Sequence, residues 1–158
     1  MLAIVRRYEA AGFRAWPAAA VHYDGTWVVR LTAGHPAKRL NSVNPLDPGD
    51  IQHIADRIGR AALKVSGSDV SLRPGLSEII GAIQPEAGLF ALEDGTEPLA
   101  TLICVHDGDL AGLFEIATDR SVRNQGHGRH LILSALKWAR LRGAREAWLQ
   151  VEADNAPA

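Results

Sequence analysis

The residues from Ile116 to His130 combine a strand end (Ile116-Ala117-Thr118), a basic loop and two glycines, Gly126 and Gly128, that open a helix. That order carries chemistry. The first turn of a helix leaves backbone N–H groups without partners, and the helix dipole adds partial positive charge at the same place. Glycines at alternate positions let an anion reach the main chain without meeting a Cβ. Arg123 and Arg129 add full charges beside those amides. The residue types describe a cradle for a phosphate-like anion. It is not a Walker loop, because no Gly-Lys-Ser/Thr follows. It is not a dinucleotide fingerprint either, because Leu131 stands where the third glycine is needed.

Other groups could react. Strand alternation places Glu115 opposite Phe114 and Ile116, on the side of Leu113 and Ala117. A carboxylate there is either desolvated in a cleft, where it can serve as a general base, or simply exposed. Glu152 is a second acidic candidate. His127 reads as a surface loop residue, and His106, beside a turn, as solvated. Cys104 is the only cysteine, so an internal disulfide is excluded and a reducing compartment fits. Its place in the apolar run Ala100–Val105 makes it a small buried hydrophobe rather than a nucleophile. No metal ligands are assigned.

The elements that must position these groups follow from periodicity. Leu2, Val5 and Tyr8 predict a helix over residues 1–15, and Trp16-Pro17 breaks it. Val21–Tyr23 and Trp27–Leu31 read as a hairpin turning at Asp24-Gly25. His35 to Gly49 is turn-rich and closes that unit. Asp50 caps a helix through Arg60, and Ser66–Asp69 is a connector. A helix opened by Pro74-Gly75 carries the stripe Leu76, Ile79, Ile80 and Ile83. Strands at Gly88–Leu92, Pro98–His106 and Leu110–Thr118, separated by Asp-Gly turns, form an antiparallel meander. A helix from His127 to Arg142 and a strand from Glu146 to Glu152 complete a βαβ unit, whose last strand runs parallel to Leu110–Thr118.

At 158 residues, 47% hydrophobic and 22% charged, the chain has the size and composition of one soluble domain. The formal net charge of −1 points to neither nucleic acid nor an acidic membrane. The charge is uneven: Asp119 to Arg145 holds seven Lys/Arg against one acid, which suits a phosphorylated ligand. No apolar run reaches the roughly 18 residues that span a bilayer. The N-terminal charges follow a short apolar stretch, the reverse of a secretory signal, so the expected location is the cytoplasm.

Arg123-Asn124-Gln125-Gly126-His127-Gly128 resembles the Arg/Gln-x-x-Gly-x-Gly/Ala signature of the GNAT acetyltransferases. The meander before it, the Ile116–Asp119 entry and the run from Leu149 to Ala158 are similar to the same family, over residues 74–158. The resemblance implies an α/β fold with a mixed α+β sheet: an antiparallel meander followed by a βαβ unit with a splayed parallel pair. It implies direct transfer of an acetyl group from acetyl-CoA, the cosubstrate, to an amine, with neither nucleic acid nor membrane as partner. The backbone of Ile116 and Thr118, with Ala117 between them, would bind the pantetheine arm as an added strand. Arg123 and Asn124 would open the diphosphate loop. Main-chain N–H groups of Gln125, Gly126, His127, Gly128 and Arg129 would hold the diphosphate. Asn155 would lie beside the pantetheine near the thioester, and Glu115 would be the catalytic base.

Two further expectations come from that resemblance. Trp16-Pro17, Trp27–Arg30 and Asn41–Leu46 are similar to the degenerate first half of longer GNAT proteins. The chain thus divides into an N-terminal remnant, residues 1–62, and an acetyl-CoA-binding domain, residues 70–158. In relatives a helix bearing a tyrosine general acid and two further strands come next, so this chain reads as C-terminally truncated. It would be completed by following residues or by a second copy in a homodimer. The alternative function is a CoA-binding or regulatory module with impaired catalysis. The acceptor amine is not legible.

Overall fold

Residues 2–32, 38–46, 76–95 and 97–151 are described by the computed structural model. The expected helix from Asp50 to Arg60, the expected domain boundary between residues 62 and 70, and the candidate site residues Glu152 and Asn155 lie outside those residues. Two units emerge, Met1–Ile83 and Gln84–Ala158.

In the first unit, α1 spans Leu2–Ala15 and buries Ala11 and Ala15. A helix end leaves carbonyls without donors, and a cation answers both those carbonyls and the dipole. Arg30 plays that part. Its guanidinium donates to the Trp16 carbonyl and, at 2.7 Å, to the Arg39 carbonyl, and lies 4.4 Å above the Phe13 ring. Burial lowers its pKa to about 10, so it stays charged at neutral pH. Strands β1 (Ala20–Asp24) and β2 (Trp27–Leu31) form the expected hairpin, with Asp24 facing Trp27. A third strand, β3 (Ser42–Pro45), pairs antiparallel with the other side of β2. This stretch, expected to be turns, is therefore a strand. An edge strand tolerates a terminal proline because its outer backbone needs no donor, and the Leu46 amide adds a bond to the Thr26 carbonyl at 2.8 Å. As the middle strand, β2 is buried along its whole length. A short helix, α2 (Leu76–Gly81), follows the predicted stripe and buries Ile79.

The second unit is a four-stranded sheet in the order β4-β5-β6-β7: β4 (Glu86–Asp94), β5 (Glu97–Asp107), β6 (Leu110–Thr118) and β7 (Glu146–Leu149). The first three strands are the expected antiparallel meander, and β7 runs parallel to β6. Helix α3 (His127–Leu141) joins the parallel pair. It buries Leu131 and packs Ala135 and Ala139 in one core with Leu102, Cys104, Ala111 and Leu113. Small residues at 135 and 139 let the helix sit close to the sheet, near enough for the Cys104 thiol to lie 3.9 Å from the Ala135 carbonyl. Arg142 closes the far end. It pairs with Glu86 at 2.8 Å and covers the Trp138 ring, which meets Phe90 edge-on.

Two expectations are corrected here. β7 ends at Leu149, short of Glu152. His106 is not solvated as its place beside a turn suggested: it lies within the β4–β5–β6 pairing, and its Nε2 is buried with no hydrogen-bond partner among the described residues.

Candidate functional site

The parallel pairing is short. β6 and β7 are paired from Leu110↔Glu146 to Leu113↔Leu149 and no further, while β6 continues to Thr118. From Phe114 to Thr118 one edge of β6 therefore has no β7 partner among the described residues. An unpaired strand edge presents N–H and C=O groups in a row, a template for an extended ligand.

Within that stretch β6 is bulged. Ile103 faces Phe114 and Thr101 faces Ala117, so Glu115 and Ile116 together stand opposite Leu102. Two residues opposite one is a β-bulge, which bends its strand and re-aims its side chains. Glu115 takes the left-handed conformation, φ +48°, uncommon for a residue with a side chain and a mark of local strain. The extra residue corrects the alternation expected from the sequence. Ala117 pairs with Thr101 on the face of Phe114 and Ile103, not on the face of Leu113. Thr118 returns to the face that α3 covers. Glu115 and Ile116 are both exposed. No glycine or proline marks the bulge, so no local signal could have disclosed it.

After Thr118 the chain turns sharply. The Asp119 amide donates to the Leu99 carbonyl at 2.9 Å, which ties the end of β6 to β5. Asp119 then caps a 3-10 turn, Arg120–Val122, by accepting from the Ser121 amide at 2.8 Å and from the Ser121 hydroxyl. Those bonds, chiefly the hydroxyl, with Arg123 nearby, hold the Asp119 carboxyl below its ordinary pKa. Arg123 Nε reaches back to the Thr118 carbonyl at 3.4 Å. Asn124 at φ +61° and Gly126 at φ +85° carry the loop through left-handed backbone, where asparagine is tolerated and glycine is free.

Gly126 is the N-cap of α3 and supplies no capping side chain. The first amide of the helix to find a carbonyl is that of His130, which donates to Gly126 at 2.9 Å. The amides of His127, Gly128 and Arg129 come before it and have no intrahelical acceptor. A Cβ at Gly126 would project into open space beside them. The arrangement suits a diphosphate: orphan donors, the positive end of a 15-residue helix, and the exposed cations Arg123 and Arg129.

The structure thus brings Ile116, Ala117, Thr118, Arg123, Asn124, Gln125, Gly126, His127, Gly128 and Arg129 into one continuous path from strand edge to helix start. Glu115 adjoins it. Among the described residues no group of His, Cys, Asp and Glu is placed to hold a metal ion, and no helix is long and apolar enough to cross a membrane.

The sequence profile described as the acetyltransferase (GNAT) family matches residues 60–158. Similar solved structures include the ribosomal-protein-S18-alanine N-acetyltransferase from Escherichia coli, at 31% identity and TM-score 0.46, covering 54% of this chain and 56% of that one. Nourseothricin acetyltransferase shares 28% identity at TM-score 0.44, covering 48% of this chain and 46% of that one. A protein from Pyrococcus furiosus described as an acetyl transferase shares 24% at TM-score 0.43, covering 66% of this chain and 81% of that one. The chain thus spans about half the length of the first two. No curated protein sequence matches.

Proposed function

Because the chain belongs to the acetyltransferase (GNAT) family, we propose that it moves an acetyl group from acetyl-CoA to the nitrogen of an amine acceptor by direct transfer. The observation that carries this reading is the end of β6–β7 pairing at Leu113↔Leu149, beyond which β6 runs on to the amide cradle with no β7 partner among the described residues. A coenzyme with an extended amide-bearing arm and a diphosphate needs those two features in that order. Backbone groups of Ile116 and Thr118 hydrogen-bond the pantetheine arm, and the loop from Arg123 through Arg129 holds the diphosphate.

Held this way, the thioester lies beside the bulge. The amine attacks the thioester carbonyl carbon, the carbon–sulfur bond breaks, and the thiolate leaves with its electron pair and takes up the proton that the acylated nitrogen sheds. Fixing the thioester converts the encounter into a local one. The ammonium form must first lose a proton, and Glu115, turned out of the strand by the bulge, is the base that takes it. Asn155 belongs near the thioester in this reading. The chain works among amine-bearing solutes or peptides of the cytoplasm.

A thermal melt with acetyl-CoA and a thiol-release assay with a panel of amines test the proposal together. Melting should rise by about 5–10 °C at a hundredfold excess over Kd, from a stabilisation of about 2.7 kcal/mol. Thiol should appear only when amine is present. A melting temperature that acetyl-CoA leaves unmoved would overturn the reading. A rise without thiol release across the panel would leave the CoA-binding module as the function.

A further inference from the structure

The family signature admits glycine or alanine at its last position, yet in this chain the two are not equivalent. A Cβ added at Gly128 would stand 3.2 Å from Thr118 Oγ1, closer than such atoms ordinarily pack. Whether that contact matters depends on whether either partner can retreat. Thr118 is held by its pairing with Ala100, by the Asp119–Leu99 bond immediately after it, and by Arg123 on its own carbonyl. Its branched side chain has few rotamers to choose among. Gly128 is in the first turn of a helix that buries Leu131 and packs Ala135 and Ala139 in one core with Leu102, Cys104 and Leu113. Both sides are anchored by backbone bonds or close packing, so relief must come from separating the end of β6 from the start of α3.

We propose that Thr118 and Gly128 are a matched positioning pair, which sets the spacing between the β6 edge and the amide cradle so that one coenzyme molecule can engage both. This rests on the acetyl-CoA reading above and adds to it the residue pair that tunes the grip. The bulge makes the pairing possible. Without the extra residue at Glu115–Ile116, Thr118 would point to the sheet face away from α3.

The test is a double-mutant cycle in the full chain, with acetyl-CoA affinity measured by calorimetry and folding by thermal melts. Gly128→Ala should weaken acetyl-CoA about five- to tenfold. The ligand-free melting temperature should change little, because the better helix preference of alanine offsets part of the cost of the close contact. Thr118→Ala, introduced into the Gly128→Ala protein, should restore affinity to within about twofold of Thr118→Ala alone. A merely structural contact would instead lower the melting temperature and affinity together. Normal affinity in Gly128→Ala, or no recovery in the double variant, overturns the pair while leaving the acetyl-CoA reading in place. An unsubstituted chain that does not bind acetyl-CoA overturns both.

Discussion

Glu115 and Cys104 stand on paired strands of the second unit in opposite surroundings. Glu115 is exposed on a strained bulge. If it accepts the ammonium proton, Glu115→Gln should lower kcat by on the order of a hundredfold, while acetyl-CoA affinity stays within about twofold. Steady-state kinetics beside calorimetry separates the two; equal losses in both would remove Glu115 from the chemistry. Cys104 is fully buried, and burial pushes its thiol pKa up from 9.0 to about 11. Its contribution to stability is therefore complete below pH 9 and is lost as pH rises through 11, because the unfolded thiol ionises first. The loss should be on the order of 2 kcal/mol, measured by urea unfolding between pH 8 and 11, and should flatten in Cys104→Ala. That burial was legible from the apolar run around it. The conformation of Glu115 was not, since it is set by where β5 pairs.

Among the elements, β6 does the most for the site. Its first half is paired on both sides, and its second half has no β7 partner among the described residues. Gly112 in the first half lies under two rings, Phe114 and Trp148, which meet edge-on with centroids 5.3 Å apart. A Cβ at Gly112 would come within 2.7 Å of the Phe114 ring and 3.0 Å of the Trp148 ring. Gly112→Ala should accordingly cost about 1–3 kcal/mol through overpacking, seen as a lower urea midpoint with unchanged slope. The helical pattern of α3 and the Asp-Gly turns of the meander were readable because each depends on residues a few positions apart. β3 was missed because its asparagine and proline read as turn residues; its pairing with β2, far from its own neighbours, makes it a strand.

For the whole chain, formal charge misleads. A net charge of −1 coexists with seven Lys/Arg against one acid between Asp119 and Arg145. The field that an anionic coenzyme meets is local and positive, and salt screens it over about 10 Å at 0.1 M. Acetyl-CoA affinity should fall several-fold between 0.05 and 0.5 M salt, and Arg123→Gln should reduce that dependence; calorimetry across the series measures both. The backbone amides at the start of α3, which carry no net charge to screen, should retain most of the remaining affinity at high salt.

What the sequence determined alone was the order of the elements from β4 to α3 and the strand–loop–helix path between β6 and α3, because helix periodicity, turn residues and glycine placement are local properties. The tertiary structure decided the rest. Where pairing with β7 stops, which residues of β6 bulge, and whether Thr118 meets Gly128 all depend on register between segments distant in the chain. Register is chosen by the packing of every strand and helix at once, so no short stretch of residues contains it.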